Sequence, residues 1–102
     1  MMVEVLYFDG CPSHDRLMPT LLTLASAHDA EIVQRRVETL EEAEEVRFLG
    51  SPSVRVDGRD IEPGAETRTD YGMKCRLYCS PTGRSGVPPH EWIERALNRV
   101  TG

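Results

Sequence analysis

The sequence has no excess of positive charge, no long apolar run, few aromatics (6%) and three cysteines in 102 residues. Each shortage removes a class of function. With 17 acidic against 12 basic residues, a formal net charge of −5 and a pI near 5.1, the chain lacks the basic face that a phosphate backbone requires. Arg35-Arg36 is its one adjacent basic pair, so nucleic acid is not an expected partner. No apolar stretch is long enough to span a bilayer. The short N-terminal apolar run carries Glu4 and Asp9 and has no basic segment before it, so the expectation is a cytoplasmic protein with no membrane partner. Three cysteines disfavour a disulfide framework and leave at least one thiol free or catalytic. Cys75, Cys79 and His90 lack the paired spacing of a zinc finger, so no metal and no cofactor is expected. No repeat, linker or low-complexity segment is visible, which leaves one small domain over residues 1–102 with one modest core.

What the chain does have is concentrated at its start. Val3, Val5, Tyr7 and Phe8 give a first strand over Met2 to Phe8, apolar enough to be central in a sheet. Asp9-Gly10 breaks it, and Pro12 suits the first turn of a helix, where its missing N–H costs nothing. Cys11 therefore sits where the chain turns from strand to helix. The unpartnered amides and positive dipole end there favour a thiolate. A packed, inert cysteine is the bland alternative.

The rest follows by pattern. Leu17, Met18, Leu21, Leu22, Leu24 and Ala25 recur at helical spacing, with Pro19 inside expected to kink the axis and His28-Asp29 ending the helix. Glu31 to Val37 is a second strand. Thr39 and Glu42 have capping-box spacing before a short helix through Leu40, Ala43, Val46 and Leu49 that Gly50 stops, and the run Glu41, Glu42, Glu44, Glu45 reads as its solvated face. Ser53 to Val56, Asp57-Gly58 and Arg59 to Ile61 read as a tight hairpin. Glu62 to Gly86 is expected to be an irregular insertion, and Pro88-Pro89-His90 opens a last helix with Trp92, Ile93, Ala96, Leu97 and Val100 on one side. The order is an α/β fold, βαβα, then a β-hairpin, the insertion and a C-terminal helix. It predicts parallel strands, an antiparallel hairpin in the same sheet, two helices on one face and one on the other.

These residues resemble the thioredoxin-like superfamily, and within it small bacterial proteins of uncertain function, some labelled selenoprotein-like or organomercurial-lyase-like. The likeness rests on the cysteine between strand and helix, on Pro19 eight residues beyond Cys11, and on Pro52 in Gly50-Ser51-Pro52-Ser53-Val54, where the family carries a proline, typically cis. It covers roughly Met2 to Ile61 and the last helix. The family's motif is C-x-x-C, whereas position 14 here is His14, so no local disulfide can form. The resemblance implies a redox site at Cys11, with Pro12, Ser13 and Pro52 forming a substrate groove and a protein or small-thiol redox partner.

His14 is read either as a hydrogen-bond donor to the Cys11 thiolate or as a solvated histidine. Cys75 and Cys79 are candidate remote resolving thiols, with Lys74 and Arg76 favouring a thiolate at Cys75. On a strand they stand about 13 Å apart, too far to bridge. On a helical turn they come within about 6 Å and a metal or disulfide becomes conceivable. The functional expectation is a thiol-based redox protein, for thiol–disulfide exchange or peroxide sensing. Two alternatives stand beside it: a mercury-binding or organomercurial-lyase-like protein with Asp9 or Asp15 as proton donor, and a non-catalytic peptide-binding module. Tyr71 and Tyr78 are read as an exposed lid or the contact of a homodimer.

Overall fold

The computed structural model describes residues 1–101, with side chains through residue 99. Its centre is β1 (Met2–Tyr7), where successive side chains point to opposite faces of the sheet. Val3 and Val5 point to one side and Leu6 to the other. β1 pairs in parallel with β2 (Glu31–Arg36), Met2 facing Glu31 and Tyr7 facing Arg36, and antiparallel with β3 (Ser53–Val56), Leu6 facing Ser53. β3 turns back into the two-residue β4 (Arg59–Asp60), giving a four-stranded mixed sheet in the order β2-β1-β3-β4. Asp57 and Gly58 both have positive φ (50° and 85°), the pair of angles that a tight hairpin turn twisted like its strands demands.

Helix α1 (Pro12–Ala27) runs continuously through Pro19. With α3 (His90–Thr101) it covers one face, where Leu17, Leu21, Ile93 and Leu97 close over Val3, Val5, Val54 and Val56. Trp92 packs on the margin of that core, edge-on to Tyr78 with centroids 6.2 Å apart. Val100, expected on the same stripe, lies outside the residues whose side chains are described. α2 (Leu40–Glu45) and the turn after it cover the other face through Ala43 and Phe48, which meet Leu6 and Val37. The expected division of two helices on one face and one on the other is therefore present. Among the described residues no helix is long and apolar enough to cross a membrane.

Both α1 and α2 end in the same way. The amide after the last half-turn residue bonds back three residues and the next bonds back five: Asp29 to Ser26 and Ala30 to Ala25 in α1, Arg47 to Glu44 and Phe48 to Ala43 in α2. The residue at the reversal is left-handed, Asp29 (φ 54°) and Arg47 (φ 58°), where glycine is the usual choice. This corrects the end expected for α2. Val46, Leu49 and Gly50 lie beyond the helix, because the reversal at Arg47 turns Phe48 inward to the core and stops it first. The N-terminus carries the expected cap, Thr39 Oγ1 accepting from the Glu42 amide at 3.1 Å.

Residues 62–86 are more ordered than their composition suggests. They contain a 3₁₀ turn at Ala65–Thr67 and a second hairpin of β5 (Tyr78–Ser80) and β6 (Gly83–Ser85), turning at Pro81-Thr82. Before that hairpin the chain lies beside Ser51, whose N–H donates to Lys74 O and whose carbonyl accepts from the Arg76 amide, both at 2.9 Å. Gly50 is the contact point. It has φ 122°, and a Cβ there would stand 2.9 Å from Lys74 O and 3.1 Å from the Arg76 Cα. Gly50→Ala is therefore expected to cost about 1–3 kcal/mol in urea unfolding. An unchanged unfolding midpoint would show that this contact does not hold the segment.

Candidate functional site

The end of β1, the start of α1 and the loop before β3 meet at one end of the sheet. Past Leu6, which faces Ser53, the Phe8 amide donates to Ser51 Oγ at 3.3 Å, tying the loop that leads to Cys11 to the loop that carries Pro52. Cys11 is the N-cap of α1 in extended conformation (φ −88°, ψ 107°), and its carbonyl accepts from the His14 and Asp15 amides at 3.2 and 3.4 Å. Its sulfur makes no capping hydrogen bond and the residue is 3% exposed. Pro12 is exposed in the first helical turn. Ser13 Oγ accepts from Arg16 Nη2 at 3.2 Å and lies under the backbone of Gly86, where a Cβ would come within 2.2 Å of it. The end of the 62–86 segment thus rests on the first turn of α1.

His14 is engaged by partners other than the sulfur. Its ring stacks on Tyr7 with centroids 4.0 Å apart and planes 3° from parallel. Nε2 donates to Gln34 Oε1 at 2.8 Å, and Nδ1 is 3.9 Å from the Asp15 carboxylate. Among the described residues no hydrogen bond joins His14 to Cys11 Sγ. Asp9 pairs with Arg36 at 3.0 Å, and Asp15 is 86% exposed, so neither proton donor suggested for an organomercurial reaction is directed to the thiol by a bond of its own.

The loop Gly50–Ser53 is bonded at every residue. The Ser51–Pro52 peptide is cis, Ser53 Oγ donates to Gly50 O at 2.6 Å, and the Pro52 carbonyl accepts from Tyr78 Oη at 2.6 Å. Cys75 is brought into register with Ser51, but its side chain is exposed. From Cys75 to Cys79 the chain is extended rather than helical, with Arg76 and Tyr78 inward and Cys75, Leu77 and Cys79 outward. The helical-turn alternative is thereby corrected: the two thiols share a face about 13 Å apart. All three cysteines are free, and among the described residues no group of three His, Cys, Asp or Glu side chains is placed to hold a metal.

The residue that the cysteine-centred reading passed over is Arg76. Its side chain is fully buried, yet it holds a forked pair with Asp60 (2.7 and 2.9 Å), a bond to Ser53 Oγ at 3.0 Å and a contact with Glu62 at 3.3 Å. The guanidinium also lies 4.5 Å from the centroid of the Tyr78 ring. Its Nε is buried with no protein acceptor. Burial works against the charge, and the Asp60 bond with the fields around it holds the pKa above the ordinary arginine value. The network extends outward through Glu62 to Arg68 (3.1 Å), Arg68 to Asp70 (2.7 Å) and Asp70 to Lys74 (2.7 Å). Two expectations are corrected here. Lys74 and Arg76 are engaged by carboxylates rather than aimed at the Cys75 sulfur, and Tyr78 is buried instead of forming an exposed lid. The signal in the sequence was the inward alternation Arg76-x-Tyr78 with a matching Asp60-x-Glu62 on the preceding edge.

Compared with protein-family models, curated proteins and solved structures, the chain finds no match in any of the three.

Two measurements check this network. Arg76→Ala leaves the Asp60 carboxylate half-buried without its partner and is expected to destabilise by about 3–5 kcal/mol in denaturant unfolding. Burial, partly offset by the Arg76 charge, pushes the Tyr78 phenol well above the usual tyrosine range. The folded chain thus keeps a proton that the unfolded chain releases, so this contribution is intact below about pH 10 and falls as pH rises beyond it. The tyrosinate absorbance that wild type shows in excess of Tyr78→Phe is expected to appear together with loss of far-ultraviolet circular dichroism. Its appearance in a folded chain would contradict the buried phenol.

Proposed function

We propose that the chain is a thioredoxin-like thiol protein whose reacting group is Cys11. The observation that carries the reading is the junction of the Cys11 turn with the cis-proline loop, made by the Phe8 amide and Ser51 Oγ at the end of the central strand. Cys11 is the N-cap residue of a 16-residue helix, where strand gives way to helix. The near-complete burial of Cys11 selects its partners: small oxidants and small thiols reach it more readily than a folded protein disulfide does. Reaction with hydrogen peroxide forms an S–O bond and breaks the O–O bond, giving a sulfenic acid and water. A thiol then displaces the sulfenic oxygen as water and leaves a disulfide.

The resolving thiol comes from solution in this reading. Cys75 and Cys79 face outward, and the segment that carries them is pinned through Arg76. The peptide-binding alternative is disfavoured by the same segment, because the Ser51 N–H and carbonyl are already bonded to Lys74 and Arg76. Among the described residues no contact favours the organomercurial reading.

Mild peroxide followed by a sulfenic-acid trap and peptide mapping is expected to label Cys11 in the wild type and not in Cys11→Ser. With a small thiol present, a mixed disulfide at Cys11 replaces the label. Cys11 left unmodified while Cys75 and Cys79 react would overturn the proposal, and a Cys11–Cys75 crosslink would assign the second thiol to the chain itself.

A further inference from the structure

On the α2 side of the sheet, a pocket of about 410 Å³ lies between the end of α2, the β3–β4 hairpin and the 3₁₀ turn. Four arginines line it: Arg47, Arg55, Arg59 and Arg68. That is a large share of the positive charge of a chain whose net charge is −5. The four are not equivalent. Arg55 donates to the Val46 and Arg47 carbonyls (2.5 and 3.0 Å), closing the C-terminal end of α2, and Arg68 is held by Glu62 and Asp70. Among the described residues the guanidiniums of Arg47 and Arg59 have no hydrogen-bond or ion-pair partner. Of the two lining carboxylates, Asp60 is committed to Arg76 and Glu66 is exposed.

The backbone supplies a second observation. Arg47 occupies the left-handed reversal after α2, a position where glycine is favoured and a long side chain is strained. An arginine there is costly for the helix end, and the residue that bears the cost lines the pocket. The remaining lining is apolar and aromatic, from Leu49, Ala65 and Tyr71.

We infer that this pocket binds a compact organic oxyanion, a carboxylate or phosphate monoester on a small apolar or aromatic body. Two free guanidiniums match the paired oxygens of such a head group through charge-assisted forked hydrogen bonds. The volume is at the small end of the range for small-molecule sites, which suits a single ring and its head group. The ring packs against Leu49 and Tyr71. This inference does not depend on the chemistry of Cys11.

The test titrates the full chain with phenyl phosphate, benzoate and the uncharged benzyl alcohol, followed by ¹⁵N chemical shifts of backbone amides and arginine Nε. Saturable shifts confined to the pocket residues are expected with one or both anions and not with benzyl alcohol; the tighter anion identifies the head group. Arg59→Ala is expected to weaken that binding about tenfold or more. Arg47→Gly is expected to weaken it similarly while leaving thermal stability equal or higher, since it relieves the left-handed strain. An arginine kept only for structure would lose stability instead. Shifts that do not saturate, that spread over all surface arginines, or that persist unchanged in both variants would overturn the proposal.

Discussion

The pairing of Arg76 with Asp60 ties the 62–86 segment to the sheet edge, beside the apolar contact that Tyr78 makes with Trp92. Residues 62–86 contribute no member to either hydrophobic cluster, and Ala65 and Tyr78 are their buried apolar side chains, which is little to fix where the segment lies. The forked pair does so, because a guanidinium removed from water is tolerated only where acceptors surround it. Once Arg76 is placed against Asp60, Glu62 and Ser53, its neighbours follow: Tyr78 reaches the Pro52 carbonyl, and Lys74 and Arg76 take the backbone groups of Ser51. A polar contact within the sheet edge thus positions a loop, a strand and the cis-proline turn together.

The candidate thiol site depends on that arrangement at one remove. Cys11 is positioned by β1 and α1, whose formation is local, but the loop beside it is shaped by residues more than twenty positions away in sequence. His14, the residue most naturally assigned to the sulfur, is drawn to Tyr7 and Gln34 because the parallel pairing of β1 and β2 presents a flat ring and an amide on the same side. Ring stacking with a hydrogen bond satisfies an imidazole better than a thiol does, so the histidine leaves the helix start to its backbone amides alone.

What was legible in the sequence was what is encoded within a few residues. The apolar run through Val3, Val5 and Leu6, the Pro12 start of α1, the Asp57-Gly58 turn and the Thr39 cap each carry their own signal, and together they yield a central first strand, a parallel pairing with an antiparallel hairpin in the same sheet, and the division of the helices between its faces. The end of α2 was misplaced because Arg47 takes a conformation that residue type rarely announces. Arg76 was passed over for a different reason. Its partners lie at separations of 14, 16 and 23 residues, and a buried arginine has the same letter as a solvated one. Cys75 drew attention by its chemistry, yet it is the residue beside it that turns inward.

The sheet has two unlike edges. β4 is two residues long and its neighbourhood is covered by the Arg76 segment, so that side offers little backbone for another strand to join. β2 is the opposite edge, six residues long and largely exposed, with Glu31, Gln34, Arg35 and Arg36 along it. Any growth of the sheet beyond one chain is therefore directed to β2, where an antiparallel second copy would set Glu31 against Arg35 or Arg36, whereas parallel stacking would bring like charges together. The free backbone of the sheet is thus concentrated on one edge.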